Sequence, residues 1–330
     1  MVVAMSEVNG RQRVSVQVPG KINLQLSVGP RRDDGYHELV TVFQAVSLYD
    51  VVHVQPASAW SVSVGGPQGH GVPLDDSNIA MRAAQSLAER AVKFLEPGAR
   101  SLIGPVSIEI EKQIPVAAGM AGGSADAAAT LVACAHLWGL EAAREDLEVV
   151  AGELGADVPF LLHGGTAVGT GRGDDITPVL AQGEAHWVLW ISVGEGLSTP
   201  AVYAAFDQLH EQAEPSMPEL SPELVAALRT MDPVAMGLAL HNNLAPASLS
   251  LQPALQDVLD AGRDLGALGA LISGSGPTVA FLVGSQAGAL DLSMGLAARG
   301  PGGDIVRVTG PVPGAHVIDS GGPGSRMVNH

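Results

Sequence analysis

The chain has 330 residues, 46% of them hydrophobic and 15% charged, a net charge of −17 at pH 7 and a single cysteine. These values exclude a disordered chain, a basic nucleic-acid-binding surface, an intramolecular disulfide and any multi-cysteine metal site. Apolar runs stay short of the roughly 18 residues that cross a bilayer, and residues 1–13 lack a secretory apolar stretch, so a cytoplasmic protein with no membrane partner is expected.

The length exceeds that at which one core stops growing, so two domains are expected. Val14, Val16 and Val18 alternate with polar residues, and after Pro19-Gly20 the alternation resumes at Ile22, Leu24, Leu26 and Val28. Two successive strands are predicted, with Lys21, Asn23 and Gln25 on the face opposite the apolar set. That face either lines a cleft or is the wet side of an edge strand. Only three lysines exist, Lys21, Lys93 and Lys112, so in so acidic a chain Lys21 and Lys112 merit attention as partners for an anion.

Arg31 to Gly35 is a turn by composition, and Tyr36-His37 opens another strand-like stretch running to Val54. An aromatic ring and an imidazole beside a turn can grip a planar ligand. Asp76 or Ser77 caps a helix predicted to about Leu95, and Val106 to Ile110 alternates as a strand. The most informative stretch follows: Pro115-Val116-Ala117-Ala118-Gly119-Met120-Ala121-Gly122-Gly123-Ser124-Ala125, a glycine-rich loop running into an alanine-rich helix predicted to begin at Ser124 and stop at Gly139. Glycine lacks a Cβ, so several backbone N–H groups can approach one ligand, and the first helical turn carries partial positive charge. A phosphate is the expected occupant; the plain alternative is a loop whose glycines only let the helix pack closely. Cys134 falls within this helix and reads as core.

Glu145 to Leu154 is predicted helical, and Ala156-Asp157-Val158-Pro159 reads as a fresh helix start, for which Asp157 as N-cap is the plain explanation. After a second glycine cluster at 169–173, a polar run to Glu184 marks a rough domain boundary, giving domains at 1–184 and 185–312. His186 to Val193 reads as a strand, and Ser198-Thr199-Pro200 opens a helix. Helices follow to Gly266, and Ser273-Gly274-Ser275-Gly276-Pro277 forms a tight turn between two strands. Residues 313–330 are expected to be a disordered tail.

No G-x-x-x-x-G-K-[ST] or helix-opening G-x-G-x-x-G occurs, which removes the common nucleotide-binding readings, and no His-Glu-x-x-His cluster suggests a catalytic zinc. Three segments remain in order: Pro19-Gly20-Lys21-Ile22-Asn23-Leu24, the loop from Pro115 to Asp126, and Ile272 to Pro277. Together they resemble the three motifs of the GHMP family of small-molecule kinases, over about residues 14–312. Asp34-Gly35-Tyr36-His37 and Gly155-Ala156-Asp157-Val158-Pro159 narrow the resemblance to members acting on a cytidine diphosphate sugar alcohol in non-mevalonate isoprenoid precursor synthesis.

The resemblance implies an α+β, two-domain GHMP kinase architecture with the active site in the cleft between domains, and transfer of the ATP γ-phosphate to a tertiary hydroxyl, with Mg2+. It implies Lys21 and Asp157 as the catalytic pair, and residues Pro115 to Ala125 as the ATP phosphate loop, with Asn78 and Lys112 near the adenosine. Asn23, Tyr36, His37, Tyr203, Gly274 and Ser275 would contact the substrate, His37 satisfying base edges while Tyr36 and Tyr203 offer stacking faces. No residue is assigned as a metal ligand, and a monomer or weak homodimer is expected. Ala117, Ala118 and Ala121 stand where relatives often place glycine. Rival readings are a homoserine or mevalonate type of GHMP kinase and a non-catalytic sensor on the same fold.

Overall fold

A computed structural model describes residues 13–94, 103–140, 144–181, 183–194, 196–213, 215–300 and 302–318. Its first half runs β1 (Val14–Arg31), β2 (His37–Pro56), β3 (Ser61–Gly65), α1 (Ile79–Phe94), β4 (Val106–Glu111), α2 (Gly122–Trp138), α3 (Arg144–Leu154), α4 (Val158–His163), β5 (Thr166–Gly171) and β6 (Asp175–Pro178). The second half runs β7 (Ala185–Ile191), α5 (Thr199–Leu209), α6 (Pro222–Thr230), α7 (Pro233–Ala239), β8 (His241–Asn242), α8 (Ala245–Leu251), α9 (Ala254–Asp264), β9 (Gly269–Ile272), β10 (Val279–Val283), α10 (Gln286–Arg299), β11 (Asp304–Gly310) and β12 (His316–Ile318).

The two strands predicted on either side of Pro19-Gly20 are one strand, β1, which pairs antiparallel with β2 and absorbs register shifts at Pro19/Gly20, Asn23/Gln25 and Val28/Arg31. These bulges bend the strand without ending it. In the larger sheet the order is β12-β1-β2-β4-β3, with β5 and β6 continuing beside β2 and β8 lying parallel to β1. β1 thus lies between β12 and β2, and Lys21, Asn23 and Gln25 are each at most 4% exposed, which removes the wet-edge alternative for them. The disordered tail is corrected in part: His316–Ile318 pairs with Ser15 to Gln17, because β1 has a free edge there for a returning strand. Residues 319–330 lie outside the described residues.

The smaller sheet has order β11-β7-β10-β9, all antiparallel. Its residues alternate between two cores as a strand period of two requires. Trp187, Leu189, Leu271, Ala280 and Leu282 join the main core, whereas Val188, Trp190, Ile272, Val279 and Phe281 pack beneath α9 and α10. Trp187 also ties the sheets together, its indole donating to Gln44 Oε1 at 2.9 Å.

Helix α2 is buried on nearly every side, packed against α1, α4, β1 and β2. Its alanines make that possible, since small side chains admit neighbours on all faces and Ala has the highest helix propensity. The helix begins at Gly122, two residues earlier than predicted, and ends at Gly139 with φ 69°. Likewise the cap of α1 is Asn78 rather than Asp76 or Ser77: its Oδ1 accepts from Ala80 N at 2.9 Å.

Candidate active site

Residues 112–121 join β4 to α2 and meet β1 at Gly20 and Lys21, in the middle of that strand. Three alternate positions are left-handed: Ala117 (φ 51°), Gly119 (φ 77°) and Ala121 (φ 58°). Such alternation turns successive N–H groups toward one side, the geometry of an anion-binding nest. Two of the alanines that replace glycine thus adopt a conformation costing roughly 1 kcal/mol for a residue with a Cβ. Ala121 is the N-cap of α2 with no side chain bonded to the first turn, so those N–H groups keep their capacity for a ligand.

Neighbours pin the loop from two directions. Lys21 N donates to Met120 O at 3.2 Å and Thr278 N to Ala118 O at 3.3 Å, while Ser273 Oγ donates to Gly119 O at 3.0 Å. A Cβ on Gly119 would lie 2.0 Å from the Ser273 carbonyl oxygen, so only glycine fits. Pro115, Ala118, Met120, Gly122 and Ala125 are buried; Val116, Ala117 and Gly123 are exposed.

Lys21, buried on the sheet face, donates to Asn23 Oδ1 at 2.8 Å, and Asn23 Nδ2 donates in turn to Thr41 Oγ1 at 2.8 Å. The Lys21 ammonium stands 5.5 Å from the Phe43 ring centre and 3.7 Å from Asp157 Oδ2. Asp157 immediately precedes α4 yet makes no side-chain cap hydrogen bond, so capping does not account for it. Its carboxylate faces Lys21 and is 31% exposed, which leaves it open to a ligand. Gly274, at φ 58°, closes over the pair: a Cβ there would lie 3.3 Å from Asn23 Oδ1 and 3.5 Å from Lys21 Nζ. All three sequence segments therefore converge on one spot.

Beside that spot, Tyr203 on α5 stacks on His37 with centroids 5.4 Å apart. Burial, reinforced by the nearby Asp157 carboxylate, pushes the Tyr203 hydroxyl well above its ordinary pKa. Ser275 Oγ meets Thr199 Oγ1 at 3.0 Å, joining the second glycine turn to the start of α5. Tyr36 is 58% exposed with the Arg172 guanidinium over its ring at 5.5 Å. The expectation that His37 offers its ring edges to a base is corrected: Nδ1 lies 2.9 Å from Gly29 O and Nε2 lies 3.1 Å from Asp207 Oδ1. The ring is committed to the protein and presents Tyr203 instead.

Lys112 is likewise corrected. Its side chain is 1% exposed and bonded to Asp50, Asp126 and Gly122 O, so burial keeps it from touching an adenosine. Asn78 is buried, with Nδ2 donating to Pro73 O at 2.7 Å while Oδ1 caps α1.

Sequence reasoning missed Thr41, Thr199, Arg172, Asp50 and Asn242. Asn242 donates to Ile272 O at 2.7 Å and Gly274 O at 2.8 Å, holding the second glycine turn. Asp50 had a signal, an acid set among the apolar residues of β2; Asn242 had none. Among the described residues no cluster of three or more His, Cys, Asp or Glu is placed to hold a metal, and no helix is long and apolar enough to cross a membrane.

Comparison with known proteins bears on this site. Residues 78–165 match the family model for the GHMP kinases N terminal domain, and residues 224–294 match that for the GHMP kinases C terminal region. The chain is 50% identical over 308 residues to a 4-diphosphocytidyl-2-C-methyl-D-erythritol kinase of Mycolicibacterium gilvum, covering 92% of each chain. It is 51% identical over 318 residues to the protein of that name from Thermobifida fusca, covering 94% of this chain and 100% of the relative. A crystal structure of a 4-(cytidine 5'-diphospho)-2C-methyl-D-erythritol kinase superposes with a TM-score of 0.69 at 34% identity, over 89% of this chain and 98% of that one. A homoserine kinase from Cytophaga hutchinsonii gives a TM-score of 0.72 at 20% identity, over 96% of this chain and 100% of that one, which speaks to the fold alone.

Proposed function

The chain belongs to the GHMP kinase family, and we propose that it transfers the γ-phosphate of ATP to the 2-hydroxyl of 4-diphosphocytidyl-2-C-methyl-D-erythritol. The observation that carries this reading is the Lys21–Asp157 pair, 3.7 Å apart, set where β1, the phosphate loop and the 273–276 turn meet. The likeness to relatives of that name across nearly the whole chain supports the choice of alcohol.

A tertiary alcohol is a crowded, weak nucleophile, so a base must take its proton as the new bond forms. In this reading Asp157 accepts the hydroxyl proton, the alcohol oxygen bonds to the γ-phosphorus, and the bond from that phosphorus to the β–γ bridging oxygen breaks to release ADP. Lys21 offsets negative charge on the transferred group, and the loop N–H groups hold the remaining phosphates. Asn23 and Thr41 keep the lysine rotamer fixed.

Magnesium suits this donor set. It is commonly held by one or two protein oxygens together with nucleotide phosphates, and the part-exposed Ser124 hydroxyl in the first turn of α2 is the side chain we assign to it. When bound it would neutralise phosphate charge. Tyr203, Tyr36 and His37 form the end we assign to the cytidine, with Tyr203 and Tyr36 supplying ring faces and Gly274 and Ser275 bordering the alcohol. We place the catalytic strand, loop and aspartate in a domain at 1–184 and the second domain at 185–312, in a cytoplasmic monomer or weak homodimer.

The rival acceptors, homoserine and mevalonate, give no use for the aromatic cluster around His37. A sensor without catalysis gives none for the Lys21–Asp157 pair. A phosphate-transfer assay offering ATP with each alcohol tests the reading: ADP should form only with the cytidylylated substrate. Turnover of homoserine or mevalonate in its place would refute the substrate assignment, and none with any alcohol would refute the kinase.

A further inference from the structure

Beneath the phosphate loop lies a charged cluster that the proposed chemistry does not use. Lys112 Nζ donates to Asp50 Oδ2 at 2.5 Å, Asp126 Oδ2 at 2.8 Å and Gly122 O at 2.8 Å. The other Asp50 oxygen, Oδ1, accepts the backbone N–H groups of Gln113 at 2.6 Å and Ile114 at 2.8 Å. All three side chains are at most 3% exposed. The cluster thus grips main chain on both sides of residues 115–121: the two residues that enter the loop, and the carbonyl of the first residue of α2. The fit is close, since a Cβ on Gly122 would lie 3.0 Å from Lys112 Nζ and 3.1 Å from Pro115 O.

We propose that Lys112, Asp50 and Asp126 are positioning residues for the nucleotide triphosphate, a clamp that holds the two ends of the phosphate loop so that its N–H groups face the phosphates. The clamp acts on ATP through backbone and not by contact, and it rests on the kinase reading above.

Two features favour a clamp over a plain core ion pair. Hydrophobic residues of similar volume would serve packing as well or better, because burying ions costs several kcal/mol each. The hydrogen bonds to main chain, however, can be made by no apolar side chain, and they fall only on residues bordering the loop.

The test is competition of ATP and of adenosine against a fluorescent ATP analogue, on wild type, Lys112→Met, Asp50→Asn and Asp126→Asn, with folding checked by circular dichroism. Asp50→Asn turns an amide N–H2 toward the ammonium and should survive folding even where Lys112→Met does not. In folded Lys112→Met and in Asp50→Asn, ATP affinity should fall about tenfold or more, with adenosine within about twofold. Asp126→Asn, which weakens the hold on Lys112, should lower ATP affinity in the same direction, again with adenosine within about twofold. Equal losses for ATP and adenosine would mean Lys112 serves the adenosine or general stability, and unchanged ATP affinity would mean the cluster does not position the loop; either overturns the clamp. If wild type fails to bind ATP at all, the kinase reading falls first.

Discussion

Lys21 Nζ stands 3.7 Å from Asp157 Oδ2, one residue in a buried strand and the other at the head of a short helix, with no hydrogen-bonded cap to occupy the carboxylate. Removing the base while keeping its shape isolates its role. Asp157→Asn should lower kcat by roughly two to four orders of magnitude and leave the ATP dissociation constant within about twofold. Steady-state rates with a parallel binding titration measure both, and wild-type turnover would take Asp157 out of the mechanism.

Gly119 is the point where the loop touches the second glycine turn. Adding a methyl group there meets the Ser273 carbonyl at 2.0 Å and forces a residue with a Cβ to φ 77°. Gly119→Ala should cost at least about 2 kcal/mol in urea denaturation and abolish measurable ATP binding. A stable variant that still binds ATP would show that loop and turn can separate freely.

His37 supports the aromatic end of the cleft by stacking on Tyr203 and bonding Gly29 and Asp207. His37→Ala should raise KM for the cytidylylated alcohol more than tenfold and KM for ATP less than about twofold. Equal effects on the two substrates would displace the cytidine pocket from this cluster.

Asp126 couples folding stability to pH. In the folded chain its carboxyl titrates near 8 instead of 3.8, because burial and Asp50 together outweigh Lys112. Between those values the native state holds a proton that the unfolded chain has released. Stability contributed by this group therefore falls as pH rises through the window, by up to about 1.4 kcal/mol per pH unit. Urea denaturation from pH 4.5 to 8 should show wild type losing stability relative to Asp126→Asn. Parallel curves would mean that Asp126 is ionised throughout.

Much of the site was legible because its signals are local. Period-two spacing put Lys21 and Asn23 on one face, and the glycines of 115–125 marked a loop able to bring backbone N–H groups to one ligand, whose left-handed positions include Ala117 and Ala121. The misreadings concern partners. His37 looked free to meet a base and Lys112 looked available, because nothing nearby in sequence claims the His37 ring or the Lys112 ammonium. The two carboxylates that hold Lys112 come from β2 and α2.

The order of residues by itself determined the strand–loop–helix corner, the acidic character that makes each lysine count, and the three segments able to meet a nucleotide. These depend on backbone conformation and spacing within a few residues. The tertiary structure alone decided that Lys21 faces Asp157 while Lys112 is sealed under the loop, that β1 is an interior strand, and that residues 316–318 return to pair with it. Such outcomes follow from which distant elements share a core, and burial then dictates which charges must find partners and which remain open to a substrate.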